Sequence, residues 1–201
     1  MPETRMSSPP PAHRIGPVRW VELPHPAGIA AQTLAAAWLA RELGLEEAAL
    51  AMARDIHGRP LLGAGVGGHD ASWSHSGDRL LVALGEGVRV GADLERQRPR
   101  PRALELAQRF FEPGETAWLQ TLPEPAREDA FVRLWCAKEA ILKAHGRGIA
   151  FGLHRFRVGE QDGALRLLWA DPALGAEHEW TLHEFVPLPG YRAALAWRSL
   201  P

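Results

Sequence analysis

The segment "RVGADLER", Arg89 to Arg96, begins as a buried strand and ends in charge. Side chains alternate across a strand, so Val90, Ala92 and Leu94 share one face while Asp93 and Glu95 share the other. Two carboxylates on one face repel by about 4 kcal/mol at 4 Å and an effective dielectric near 20. Water screens that cost on an exposed face. A covered face needs a cation, and hard divalent ions take oxygen ligands. Alone, D-x-E describes a solvated edge as readily as a metal strand.

Working outward, "RLLVALGEG" (Arg79–Gly87) precedes this strand, and the two runs read as a hairpin turning at Gly85–Gly87. The Gly-rich stretch before it reads as loop with a short strand at Ser72–Ser74. Ile29 to Arg54 has helical spacing with a break near Gly44, and Val18–Leu23 is strand-like. Met1 to about Gly16 is rich in Pro and Ser and is expected to be loose. Beyond Pro99 and Pro101 the period becomes helical, over Ala103–Phe110, Glu115–Leu122 and Ala126–His145. Strand-like runs follow at Leu153–Val158, Leu165–Trp169, Trp180–Val186 and Tyr191–Trp197. Each half thus offers helix plus antiparallel strands, an α+β pattern divided as 1–95 and 96–201, with the Arg/Pro run Arg96–Arg102 as the join.

Composition narrows the function classes. The 201 residues carry a net charge of −1, which gives no nucleic-acid footprint. The single Cys136 cannot form an internal disulfide, and the nine histidines lack zinc-like spacing. The Ala-rich run Gly28–Leu39 stops at Arg41 and Glu42, too short to span a membrane. With no signal-peptide pattern at the N-terminus, the expectation is a cytoplasmic protein without membrane or nucleic-acid partners.

A second stretch, "FVRLWCAKEAILKAHGRG" (Phe131–Gly148), puts Trp135, Glu139 and Lys143 in one helical row, each four apart. A Glu four residues before a Lys is the commonest surface pair on a helix. One count argues against a mere surface. Of 23 Lys plus Arg only two are lysine, Lys138 and Lys143, and both flank Glu139. Ammonium is a compact, rotatable point charge where guanidinium is a planar fork, so a tight phosphate or metal-proximal site is a reason to keep lysine there.

Four motifs in order, "GRPLL", "SWSHSGDRLLVAL", "VGADLE" and "LWCAKEAILK" with the following "GRGI", resemble the 4′-phosphopantetheinyl transferase superfamily, and their number and the chain length fit its monomeric, two-lobed branch. The resemblance implies two pseudo-symmetric α+β lobes with the site between them. It implies transfer of the phosphopantetheine arm of coenzyme A to a serine of an apo acyl or peptidyl carrier protein, releasing adenosine 3′,5′-bisphosphate. Asp93, Glu95 and Glu139 would hold Mg²⁺, Glu139 would serve as base, and Lys143 would steady the pyrophosphate. Arg59, Ser74, His75 and Lys138 would contact coenzyme A, with Lys138 alternatively pairing a carboxylate. The family's Arg on the first long helix, for the 3′-phosphate, falls near Ala36 or Ala37, so another arginine is expected to take its place. Five arginines in Arg96–Phe111 make that segment the expected docking face for an acidic carrier protein. Two alternatives carry different marks. A carboxylate–metal nuclease would place acid and Lys two apart on a strand, and a non-catalytic carrier-binding relative would show a broken metal set.

Overall fold

A computed structural model describes residues 11–200 of the chain. Eleven strands and four longer helices alternate along it. The strands are β1 (His13–Ile15), β2 (Val18–Pro24), β3 (Met52–Arg54), β4 (Pro60–Leu62), β5 (His69–Ser76), β6 (Arg79–Glu86), β7 (Val88–Arg96), β8 (Phe156–Gln161), β9 (Ala164–Ala170), β10 (Thr181–Phe185) and β11 (Tyr191–Ser199). The helices are α1 (Ala31–Leu43), α2 (Ala103–Phe110), α3 (Pro113–Thr121) and α4 (Ala126–His145). One antiparallel sheet has the order β1-β2-β6-β5 and a second the order β10-β11-β7; β3-β4 and β8-β9 form two-stranded ribbons. The architecture is α+β.

Three apolar clusters hold it together. Trp38 and Leu39 of α1 pack on Val21, Leu80 and Val82 of the first sheet. Phe131, Leu134 and Ile141 of α4 pack on Ala194 and Ala196 of the second. Between these, Val90, Ala92 and Leu94 join Trp20, Leu81, Leu195 and Trp197. The alternation of "RVGADLER" is therefore real, with its apolar face wholly buried. Its acidic face is not solvated either: Asp93 is only 5% exposed, because α4 crosses it. Gly91 makes that crossing close, since a Cβ there would run into the backbone of Ala140 and Ala144.

Several sequence expectations need correction. β6 and β7 do not form a hairpin. β7 pairs instead with β11, Ala194 opposite Asp93 and Ala196 opposite Gly91, while β6 lies between β2 and β5. Gly87, at φ 68°, turns the chain from one sheet into the other. β7 thus shares its ladder with the C-terminal elements although it precedes the Arg96–Arg102 join. The helix expected to resume after Gly44 gives way to strand at Met52–Arg54, because pairing with Pro60–Leu62 overrides local spacing. Of the stretch expected to be loose, Met1–Pro10 lies outside the described residues, and His13–Ile15 pair with Val18–Trp20 as β1.

The two sheets meet where β5 runs beside the free edge of β7. Asp70, Ser72, Ser74 and Ser76, alternate residues of β5, all reach across. Backbone N–H groups of Val90, Ala92 and Arg96 donate to Asp70 Oδ2 (2.7 Å), Ser72 Oγ (3.0 Å) and Ser76 Oγ (3.0 Å). Short side chains thus stand in for a backbone ladder, so a buried sheet edge is satisfied without fusing the sheets. The serines of "SWSHS" are that edge.

Candidate active site

Four elements converge at this seam. Ser74 Oγ donates to Asp93 Oδ1 at 2.8 Å, and Lys143 Nζ of α4 donates to the same oxygen at 2.7 Å and to the Ala92 carbonyl at 3.0 Å. Glu139 lies one turn earlier on α4. Arg59, from the turn leading into β4, ties the seam together: its terminal nitrogens donate to Asp70, to the Val90 carbonyl and to the Lys143 carbonyl. The Asp55 carboxylate shapes that turn by accepting from the backbone N–H groups of His57 and Arg59.

Beside these groups opens a cleft of about 280 Å³, lined in part by Arg54, His57, Arg59, Trp73, Glu139 and Lys143. Its cations outnumber its single carboxylate, which suits an anionic ligand. The Arg54 guanidinium lies over the Trp73 ring, 5.4 Å from its centroid, and its Nε donates to Gln32 on α1 at 3.2 Å. His75, the next residue of β5 after Ser74, is exposed and leans on His25, with ring centroids 4.7 Å apart. Partial burial, then the nearby His25 and the charge of Lys143, lower its pKa.

Two carboxylate oxygens in the seam are buried without a hydrogen-bond partner: Asp93 Oδ2 and Glu139 Oε1. Burial and the neighbouring Asp93 push the Glu139 carboxyl up to about 7, against a smaller opposing pull from Lys143. Burial, then Asp93, also raises Glu95, whose Oε2 accepts from Arg100 at 2.7 Å and from Ser76 Oγ at 3.4 Å. Buried acceptors without donors cost free energy unless a ligand completes them. Three oxygen-bearing side chains with two orphaned atoms fit a hard divalent cation. As they stand, no three acidic, His or Cys side chains among the described residues close around a single point. Glu95 is turned to Arg100 and Asp93 to Lys143.

Not every sequence candidate lies here. Lys138 is fully buried on the other side of α4, where Nζ donates to Glu115 Oε1 at 2.5 Å and to the Phe156 carbonyl at 2.7 Å. It pairs with a carboxylate inside the C-terminal core and is out of reach of a cleft ligand. Arg59 lines the cleft, but both terminal nitrogens are engaged by protein groups, so it acts first as a strut. Trp135, in sequence register with Glu139 and Lys143, packs on Phe111 and Phe131. Sequence reasoning missed Arg54, His57 and Trp73 as cleft residues. Arg54 was hidden at the end of an expected helix, and His57 in the Gly-rich stretch read as loop. Trp73 was legible only as the odd large residue among serines.

The model of the 4′-phosphopantetheinyl transferase superfamily matches residues 89–196, more than half of the chain, and the chain belongs to that superfamily. Among curated relatives, slr0495 of Synechocystis sp. is 36% identical over 62% of this chain and 52% of its own length. The 4′-phosphopantetheinyl transferase HetI of Nostoc sp. is 36% identical over 77% of this chain and 63% of its own. The 4′-phosphopantetheinyl transferase Sfp of Bacillus subtilis is 27% identical over 78% of this chain and 67% of its own. The chain thus spans between half and two thirds of the length of these relatives.

Proposed function

We propose that this protein transfers the 4′-phosphopantetheine arm of coenzyme A to a serine hydroxyl of an apo acyl or peptidyl carrier protein. The observation that supports this most is the seam itself. Glu139 and Lys143 of one helix are held over Asp93 of the "VGADLE" strand, beside a cleft richer in cations than in carboxylates.

Asp93, Glu95 and Glu139 are the carboxylates that would hold Mg²⁺. When bound, the ion supplies a Lewis acid for the pyrophosphate oxygens. In the transfer, the carrier serine oxygen bonds to the pantetheine-bearing phosphorus, and the bond from that phosphorus to the bridging pyrophosphate oxygen breaks. Adenosine 3′,5′-bisphosphate leaves with that oxygen. The serine proton goes to the Glu139 carboxylate, which acts as the general base. Lys143 uses two of its three N–H donors on Asp93 and Ala92 and directs the remaining charge to the pyrophosphate. Arg54, bonded to Gln32 of α1, and His57 line the cleft and take the place of the missing helix arginine toward the 3′-phosphate, and Trp73 offers the base an aromatic face. Ser74 fixes Asp93 rather than the ligand, and His75 is the residue assigned to a coenzyme A phosphate. The Arg96–Phe111 segment docks the carrier. The protein works as a monomer in the cytoplasm; among the described residues, no helix is long and apolar enough to cross a membrane.

Purified protein incubated with Mg²⁺ and coenzyme A is expected to add one phosphopantetheine arm to an apo carrier, read by intact mass. No mass gain across a panel of acyl and peptidyl carriers overturns the proposal. Activity that survives EDTA removes the metal from it.

A further inference from the structure

Glu95 already has a cation. The Arg100 guanidinium reaches back from the loop after β7 and donates from Nη2 to Glu95 Oε2 at 2.7 Å, with both side chains about one fifth exposed. The hold is one-armed, because Arg100 Nε is buried without a partner. A fork that matched the carboxylate would use two parallel bonds, as Arg133 does on Glu184 with 2.7 Å contacts from Nε and Nη2. The first turn of α4 pins the loop separately, at the Arg100 backbone and the Gln97 side chain. Arg100 N donates to Glu128 Oε2 at 2.8 Å, and Gln97 Nε2 donates to Asp129 Oδ1 at 2.7 Å. The Arg100 side chain can therefore move while its Cα stays in place. Glu95, for its part, must turn away from Arg100 to join Asp93 and Glu139, since the three carboxylates do not yet converge.

We propose that Arg100 is a built-in counter-ion that competes with a divalent cation for Glu95, and that a cation taking Glu95 frees Arg100 for an acidic group of the incoming carrier protein. This rests on the assignment of Asp93, Glu95 and Glu139 to the cation. Two consequences follow from the shared carboxylate. Cation binding is weaker than the three carboxylates alone would give. Cation and carrier also favour each other through Arg100, by the same factor in both directions, because coupling between binding sites is reciprocal.

The test measures Mn²⁺ affinity by calorimetry on the full chain without coenzyme A. Arg100→Gln is expected to bind Mn²⁺ about tenfold tighter than wild type, the factor released when a partly buried charge-assisted bond stops competing. Arg98→Gln removes a neighbouring exposed charge and controls for the general field; it is expected to shift affinity less than about twofold. In wild type, the Arg100 Nε–H resonance, identified by its loss in Arg100→Gln, is expected to move during a Mg²⁺ titration and saturate with the cation. An apo carrier is expected to tighten Mn²⁺ binding in wild type but not in Arg100→Gln. Thermal midpoints verify that the variants are folded, and Arg100→Lys, which keeps a weaker partner, is expected to fall between the two affinities. Equal Mn²⁺ affinity in wild type and Arg100→Gln, equal tightening in Arg98→Gln, or an unmoved Arg100 resonance overturns the inference while leaving the carboxylate set intact. A wild-type protein that binds no Mn²⁺ overturns the carboxylate set itself, and the inference with it.

Discussion

Two lysines five residues apart on α4 have opposite fates. Lys138 is 0% exposed, and its partner Glu115 is satisfied in full, accepting from Lys138 Nζ, the Val158 N–H at 2.7 Å and the Glu112 N–H at 3.0 Å. Lys143 meets Asp93 in a partly open seam where one oxygen of Asp93 and one of Glu139 go without donors. Burial pulls the Lys138 ammonium down and pushes the Glu115 carboxyl up, yet the Lys138 ammonium and both Glu115 oxygens have partners. A satisfied buried pair is architecture, joining α3, α4 and β8. An unsatisfied one is a site waiting for a ligand, because the fold has left hydrogen-bonding capacity unspent.

The sharpest way to break this distinction is to remove charge at each pair in turn. Glu139→Gln is expected to lower turnover by about 10²–10⁴-fold, the usual worth of a positioned base, with the thermal midpoint equal or higher. Near-normal turnover in this variant would make the seam ordinary surface chemistry.

Lys138→Met should do the reverse. Breaking a buried pair strands the other charge, at a cost of about 3–5 kcal/mol, so denaturant unfolding should shift to much lower concentration while turnover per folded molecule holds. The double variant Lys138→Met/Glu115→Leu should recover most of that loss, since apolar replacement of both partners is often neutral. A double variant as unstable as the single one would show that Glu115 does more than balance Lys138, through its bonds to Glu112 and Val158.

The helix geometry that separates these lysines was in the sequence all along. At 3.6 residues per turn, positions five apart point about 140° away from each other, so Lys138 could not share the row of Glu139 and Lys143. Asp93, Glu139 and Lys143 were legible for the same reason, as strand alternation and i,i+4 spacing are local rules. What those rules lack is partners. They place Val90 and Asp93 on opposite faces, but not β7 beside β11 rather than β6, a choice made by residues a hundred positions away. Arg54 was misassigned because only its pairing with Pro60 makes it strand. Arg100 was visible as one arginine among five, and only the folded loop shows that it alone turns back to Glu95.

Proton binding at Glu139 offers a smaller effect with a definite sign. Its carboxyl rises from 4.5 to about 7 in the fold, so the folded state binds the proton more tightly than the unfolded one. Folding stability from this group is fully present below about pH 4.5 and is lost as pH rises through 7. Glu139→Gln escapes that loss. In metal-free protein its stability advantage over wild type should open between these values and level off above, at no more than about 3 kcal/mol. Added Mg²⁺ should shrink the gap by stabilising wild type alone. An advantage already complete at pH 4 would place its origin in packing rather than charge.

The smallest effect carries the same comparison to the surface. Arg102 is locally neutralised, its Nε and Nη2 donating to Glu105 at 2.8 and 2.6 Å, whereas Arg98 is exposed and has no carboxylate partner among the described residues. If carrier docking is steered by uncompensated charge, Arg98→Gln should raise the carrier KM about two- to threefold at low salt, within the range of exposed charge pairs. Arg102→Gln should change it less, because it unmasks Glu105 at a site that contributed almost no net field. Salt should erase the Arg98 effect, since exposed charges are screened over about 8 Å at physiological ionic strength. The KM for coenzyme A should ignore both substitutions, as neither residue lines the cleft. Equal effects of the two variants on carrier KM would mean that the segment is recognised by its shape, and that a charge with a partner is worth as much to docking as one without.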